Sequence, residues 1–286
     1  MTRNWLGFRL QHPSWLSDED ADALALNDIL PSLARRLRAA DLDARWQFRR
    51  HDGPDADTTT VWFQSTAAVL DKVEQWLRRR MEEDRWLVVE APPRPGAELP
   101  PGSVDTQLGE TLADLSSDLA LDLLATGPLD PADQLRVASL HLRTTSELVP
   151  ESDRASFLFL GWQHWSRQLT PAHRVRLGAQ ADLIAPDVLD LTAETARQWR
   201  WRELWPPYGT ALRAVVEEHR AQDCPLLNYL LFDHVERTHH RLGLPLEVTA
   251  VAAGALRAAA RIDRLDRQLL GLDQLVVAVP GTRPAG

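Results

Sequence analysis

The chain predicts an α+β fold: an N-terminal antiparallel sheet with helices on one face, followed by a mostly helical half. Three observations carry that expectation. Apolar residues alternate in short runs before residue 90, helical periodicity dominates after residue 102, and a proline-rich stretch lies between.

The elements follow in order. Residues 5–11 read as a short strand. Ser17-Asp-Glu-Asp20 resembles a capping box and opens a helix to about residue 39, with Leu24, Leu26, Ile29, Leu30, Leu33 and Leu37 on one stripe. Residues 45–51 alternate as a second strand, Asp52-Gly-Pro54 turns the chain, and residues 59–64 return. Ser65 is placed as the cap of a helix reaching about residue 84, and residues 85–90 as a fourth strand, giving a ferredoxin-like sheet. Beyond the proline-rich link, Asp130-Pro131 and Thr170-Pro171 are cap and first-turn pairs that start two helices. A short strand at residues 275–279 and a frayed tail over 280–286 end the reading. The expected organisation is a sheet subdomain (1–90), a link (91–102), a helical subdomain (103–279) and a tail, together one compact unit.

Composition narrows the function. A net charge of −9 argues against a nucleic-acid groove, because phosphate binding needs clustered cations. Arg35, Arg36 and Arg38, like residues 78–80, read as solvated helix faces. The single cysteine, Cys224, excludes an internal disulfide and offers no metal cluster, which suits a reducing compartment. The N-terminus lacks the apolar core of a signal peptide, and no run reaches membrane-spanning length, so the expected location is the cytoplasm. Eleven tryptophans are many for this length, and most belong to the core. The exception is the segment from Trp199 to Tyr208. It ends in two prolines and cannot be a buried helix throughout, so some of its aromatics, with Trp201 and Tyr208 as the candidates, are expected to line a surface groove.

Chemistry concentrates in residues 226–243. This stretch reads as a helix stopped by Gly243 in the αL conformation, with Pro245 just beyond. Tyr229, Asp233, Glu236 and His240 share one face, and His234, Arg237 and Arg241 share the neighbouring one. Histidine and arginine near a helix end also complement its dipole without any catalytic role. His239 and His240 are adjacent and cannot both face one metal, so no metal site is expected. Ser116 and Ser117 sit mid-helix, where a hydroxyl ordinarily bonds back to its own helix; Ser117 is kept as a catalytic candidate. His164, in Gly161-Trp-Gln-His-Trp165, reads as structural.

The helix ending His240-Arg241-Leu-Gly243, followed by Glu247 and an alanine-rich helix, resembles the close of the glutamate-elimination domain of lantibiotic dehydratases and their stand-alone thiopeptide relatives. Three further stretches resemble that family in the same order. They are Leu26-Asn-Asp-Ile-Leu-Pro-Ser-Leu33, Trp46-Gln-Phe-Arg-Arg-His51 with Gly53-Pro54, and the helix running from Glu110 to Leu124. Arg50 matches the arginine that elimination relies on in the dehydratases, whereas His51 replaces a tyrosine. The family's His-Met-His segment aligns with Glu236-Arg-Thr238, and the cationic strand has become Thr59-Thr-Val-Trp-Phe-Gln64.

The resemblance, with those departures, implies a pyridine synthase: two dehydroalanines of a precursor peptide joined by a formal aza-[4+2] cycloaddition, with loss of water and of the leader peptide. Such a reaction is largely a matter of orientation, plus proton donors and acceptors at one amide. Tyr229, His234, His240 and Ser117 are the catalytic candidates that follow. Arg50, His51, Arg241, Trp201 and Tyr208 are candidate substrate contacts. No cofactor is implied, and the partner is the precursor peptide, with other biosynthetic enzymes. Two alternatives stay open: an elimination subunit of a split dehydratase, and a non-catalytic leader-binding module.

Overall fold

A computed structural model of the chain describes residues 3–13, 15–17, 21, 23–50, 58–94, 102–222 and 224–269. The expected turn at 52–54 and strand at 275–279 lie outside the described residues, as do the tail and the helix cap at 18–20.

Among the described residues four strands form the N-terminal sheet: β1 (Asn4–Gln11), β2 (Arg45–Arg50), β3 (Thr58–Ser65) and β4 (Leu87–Glu90). Their order is β2-β3-β1-β4, and every neighbouring pair is antiparallel. Helix α1 (Leu30–Ala40), entered through a π-helical turn at Ala25–Ile29, crosses from β1 to β2 over β3. Helix α2 (Ala67–Glu83) crosses from β3 to β4 over β1. Two interleaved crossovers of this kind are the ferredoxin-like arrangement predicted above.

Alternation explains which face is covered. Phe8, Leu10, Phe48, Val61 and Phe63 are almost fully buried and join one core with Leu30, Leu33, Leu37, Leu70, Val73 and Leu77 of the two helices. Two expectations at the element ends are corrected. Ser65 is the last residue of β3 and donates to Asp41 at 2.5 Å, so Thr66 takes the N-cap position without a side-chain bond. β4 begins at Leu87, because Arg85 turns the chain at φ 60°.

Among the described residues eight helices follow: α3 (Val104–Ala125), α4 (Pro131–Ser146), α5 (Glu151–Ser166), α6 (Pro171–Ile184), α7 (Val188–Arg197), α8 (Trp205–Ala221), α9 (Leu227–Arg241) and α10 (Leu246–Leu269). Asp130 and Thr170 cap α4 and α6 through side-chain bonds to the third residue on, as their Asp-Pro and Thr-Pro pairs predict. Gly243 does hold φ 67° and ends α9.

A third correction concerns residues 199–208. Pro206 and Pro207 occupy the first turn of α8, where a missing N–H costs nothing, so the end of the run starts a helix. Of its aromatics, Trp201, Trp205 and Tyr208 are buried and Trp199 is exposed.

Both halves meet at β2. Its outer edge would present unpaired backbone groups, but side chains of α3 and α9 occupy them. Asp114 accepts from the Trp46 backbone N–H at 3.0 Å, Asp118 accepts from the Trp46 indole at 3.0 Å, and Arg241 Nε donates to the Phe48 carbonyl at 2.7 Å.

Candidate functional site

Helix α9 presents two opposite faces, and the site lies along the outer one. Tyr229, Phe232, Asp233, Glu236, Arg237 and His240 recur at helical spacing and keep some exposure, whereas Leu230, Leu231, His234, Val235, Thr238, His239 and Arg241 are buried.

The outer face borders two cavities. One, of about 290 Å³, is floored by Gln47, Phe48 and Arg49 of β2 and Trp62 of β3, and walled by Asp233, Glu236, Arg237, His240 and Arg241. The other, of about 600 Å³, lies between α9 and α5 and is largely apolar, with Phe157, Leu160, Phe232 and Tyr229 beside His164 and Asn228. Asp233 and Glu236 line both, so the two cavities adjoin at those carboxylates and together make up the groove along α9. Trp62 reaches the floor because Gly7 stands opposite it on β1, where a Cβ would meet the indole at 2.5 Å.

The joint carries the groove's proton-handling groups. Glu236 Oε1 lies 2.9 Å from His164 Nε2, and Arg237 Nε donates to Asp233 at 2.9 Å. Burial pushes the Asp233 carboxyl above the ordinary carboxylate range, against the pull of Arg237. Phe232 is fixed by stacking on Trp165 at 5.2 Å, nearly parallel, and His164 meets it edge-on at 5.2 Å. One end of the groove thus holds flat apolar groups, the other offers arginines and a histidine, and the middle offers acid–base pairs.

Behind the groove, α9 is anchored by arginine and hydroxyl groups. Arg241 Nη1 donates to Ser116 Oγ at 2.5 Å, and Ser116 pairs with Thr238 Oγ1 at 2.8 Å, which itself donates to the His234 carbonyl. Burial pulls the Arg241 guanidinium down to about 9. Deeper still, five side chains form an unbroken polar chain: Thr249 Oγ1 to His239 Nδ1 (3.0 Å), His239 Nε2 to His141 Nδ1 (3.1 Å), His141 Nε2 to Tyr208 OH (2.8 Å), and Tyr208 OH to His234 Nε2 (2.7 Å). His234 Nδ1 then faces the Leu112 carbonyl at 3.1 Å. Burial drives His234 and His239 down to about 3, with Arg241 and Arg237 further disfavouring a charge on His234. His141 is lowered and Tyr208 raised by the same burial.

The sequence candidates are therefore distributed over several places. Tyr229 and His240 lie in the groove, at opposite ends. His234 and Tyr208 meet each other in the buried chain, and Arg241 clamps β2 while lining the polar end. Ser117 is buried and donates to the Ala113 carbonyl at 2.8 Å, the back-bonding expected of a mid-helix serine. Arg50 donates to the Arg241 carbonyl and packs against Gly243; Trp201 is a core residue; His51 lies outside the described residues. Sequence reasoning gave no role to His141, a lone histidine amid the apolar residues of α4 that nothing local distinguishes. His164 was read as structural, because its partner Glu236 lies 72 positions away.

Among the described residues no group of side chains is arranged to hold a metal ion, and no helix is long and apolar enough to cross a membrane. No family model matches the chain, nor does any curated protein. Solved structures do. The tRNA-dependent lantibiotic dehydratase MibB from Microbispora sp. 107891 superposes on 92% of this chain at 19% identity and a TM-score of 0.62. TsrL superposes on 91% of it at 14% identity and a TM-score of 0.56, with 98% of TsrL covered. TbtD, a pyridine synthase from thiomuracin biosynthesis, matches 91% at 18% identity and a TM-score of 0.47, too low to add weight. This chain spans only 28% of the length of MibB. The sheet followed by the helical half is thus the fold that this chain shares with MibB and TsrL.

Proposed function

We propose that this chain matures a ribosomally made peptide, closing the central pyridine ring of a thiopeptide from two dehydroalanines. The observation that carries the proposal is the α9 groove, whose apolar aromatic end, acid–base middle and cationic end match what such a substrate needs. The resemblance of four ordered sequence motifs supports the same reading, as does the fold shared with MibB and TsrL.

The chemistry can be followed atom by atom. One dehydroalanine amide loses its N–H proton as its carbonyl oxygen gains one, giving a 2-azadiene. Its methylene carbon bonds to the methylene of the second dehydroalanine, and the former carbonyl carbon bonds to the second α-carbon. The ring then loses its hydroxyl as water and its exocyclic amide as the leader peptide, leaving a pyridine. The Glu236–His164 pair suits removal and return of the amide proton. His240 and Arg241, at the cationic end, suit the carbonyl oxygen that becomes a hydroxyl. Tyr229, beside Phe232, offers a hydroxyl and a ring face to the apolar end. No step calls on a metal, a nucleotide or transfer RNA. Holding both dehydroalanines in one groove replaces an encounter of two chain segments by a fixed geometry, which contributes several kcal/mol.

Mass spectrometry of a synthetic azole-containing bis-dehydroalanine peptide incubated with the protein tests the proposal. A product lighter by water and the leader amide is expected. The runner-up is elimination of glutamate from a glutamylated peptide, favoured by Arg50, which the dehydratase motif retains.

A further inference from the structure

The buried chain from Thr249 to the Leu112 carbonyl has a property that its distances alone do not state: its direction is determined. A backbone carbonyl only accepts, so His234 Nδ1 must carry the proton that it donates to Leu112. A neutral His234 then has a bare Nε2, which accepts from the Tyr208 hydroxyl. With its proton committed there, Tyr208 accepts from His141 Nε2–H. His141 Nδ1 is consequently bare and accepts from His239 Nε2–H, and His239 Nδ1 accepts from the Thr249 hydroxyl. Every bond in the series points the same way.

We infer that this one-directional chain is a positioning device, which fixes the rotation of α9 and keeps its own histidines out of proton transfer. A relay must pass a proton on at its far end, and an amide carbonyl oxygen is too weak a base to take one. The chain is therefore a dead end for protons. Its geometry serves position instead, since it joins five helices: α3 at Leu112, α4 at His141, α8 at Tyr208, α9 at His234 and His239, and α10 at Thr249. On α9 each anchored histidine adjoins a groove residue: Asp233 precedes His234, and His240 follows His239. Successive helical residues stand about 100° apart, so a one-residue rotation would exchange anchor and groove positions. The charged groups facing the chain, Arg241 and Arg237 beside His234, oppose any charge on it.

The inference is independent of the reaction proposed above, and its test needs no substrate. Nitrogen-15 NMR of histidine-labelled protein separates bare from protonated ring nitrogens, with His→Gln variants assigning the signals. The wild-type protein should show His234 as the Nδ1–H tautomer and both His141 and His239 as Nε2–H tautomers, all unchanged across about pH 5 to 8. Tyr208→Phe removes the link that carries direction from His234. Keeping the old polarity would leave His141 Nε2–H aimed at a phenyl ring, so His141 and His239 should move to the Nδ1–H tautomer while His234 stays. Thr249→Val removes only the free end and should leave all three tautomers as they were. A charged or Nε2–H His234 in the wild-type protein, or a Tyr208→Phe variant that retains all three wild-type tautomers, overturns the inference. Should Tyr208→Phe not fold, the wild-type spectrum and Thr249→Val still decide it, because a flip of His141 in the latter also overturns it.

Discussion

Glu236 is the residue on which the proposed chemistry turns, since it lines both cavities and holds His164 at 2.9 Å. Glu236→Gln keeps the shape and removes the base, so turnover should fall about 100-fold or more, with substrate binding little changed. Tyr229→Phe tests the apolar end: the ring stays and only the hydroxyl goes. If that hydroxyl bonds the substrate during tautomerisation, kcat should drop by roughly two orders of magnitude at most. Steady-state kinetics on a bis-dehydroalanine peptide reads both, and wild-type rates for the pair would move the proton-transfer groups out of the groove. The two residues differ in how they could be found. Tyr229, His240 and Arg241 were legible because their side-chain types and spacing sit within one helix. Glu236 acquires its partner from α5, a contact made by tertiary packing that no local pattern announces.

Among the elements, the turn after α9 couples helix to sheet. Gly243 holds φ 67°, and a Cβ there would meet Arg50 Nη1 at 2.7 Å. Gly243→Ala should therefore destabilise the fold by about 1–2 kcal/mol from backbone strain alone. It should also displace Arg50 from the Arg241 carbonyl. Urea unfolding measures the first effect, and an unchanged midpoint would mean the turn relaxes into another conformation. This element was read correctly from Gly243 and Pro245, because a helix stop depends on nearby residues. The segment at 199–208 was not. Its prolines look the same in sequence whether they end a groove loop or open a helix, and only the packing of Trp201, Trp205 and Tyr208 into the core distinguishes the cases.

For the whole molecule, pH reports how tightly the sheet is held to the helical half. Asp114 accepts from the Trp46 N–H on the edge of β2, and its carboxyl is pushed up from 3.8 to about 6 by burial and by the neighbouring Asp118, against the pull of Arg38. A folded-state value above the unfolded one means the folded chain binds the proton more tightly. Stability from this group is fully present below about pH 4 and is lost as pH rises through 6, a difference of about 3 kcal/mol. Asp122 and Asp233 shift in the same direction through burial. Asp41, lowered by the Ser65 hydroxyl, acts oppositely, its contribution being lost as pH falls through its depressed value. Asp114→Asn should flatten the fall in unfolding free energy between about pH 4 and 6; a variant as pH-dependent as the wild type would remove Asp114 as the cause.

The sheet-then-helices plan was legible at this scale because periodicity two and periodicity 3.6 are written along the chain. The meeting of the halves was not, since it rests on Asp114, Asp118 and Arg241 reaching an edge strand up to 193 positions distant.

The central claim, ring closure in the α9 groove, is tested most directly by offering the protein two peptides side by side. One carries two dehydroalanines and azoles behind a leader; the other carries a glutamylated serine in the same sequence. Mass spectrometry should find the first converted to a macrocycle lacking water and the leader amide, and the second unchanged, without metal, ATP or transfer RNA. An unreacted first peptide beside a second that has lost glutamate would contradict the account and make the chain an elimination enzyme instead.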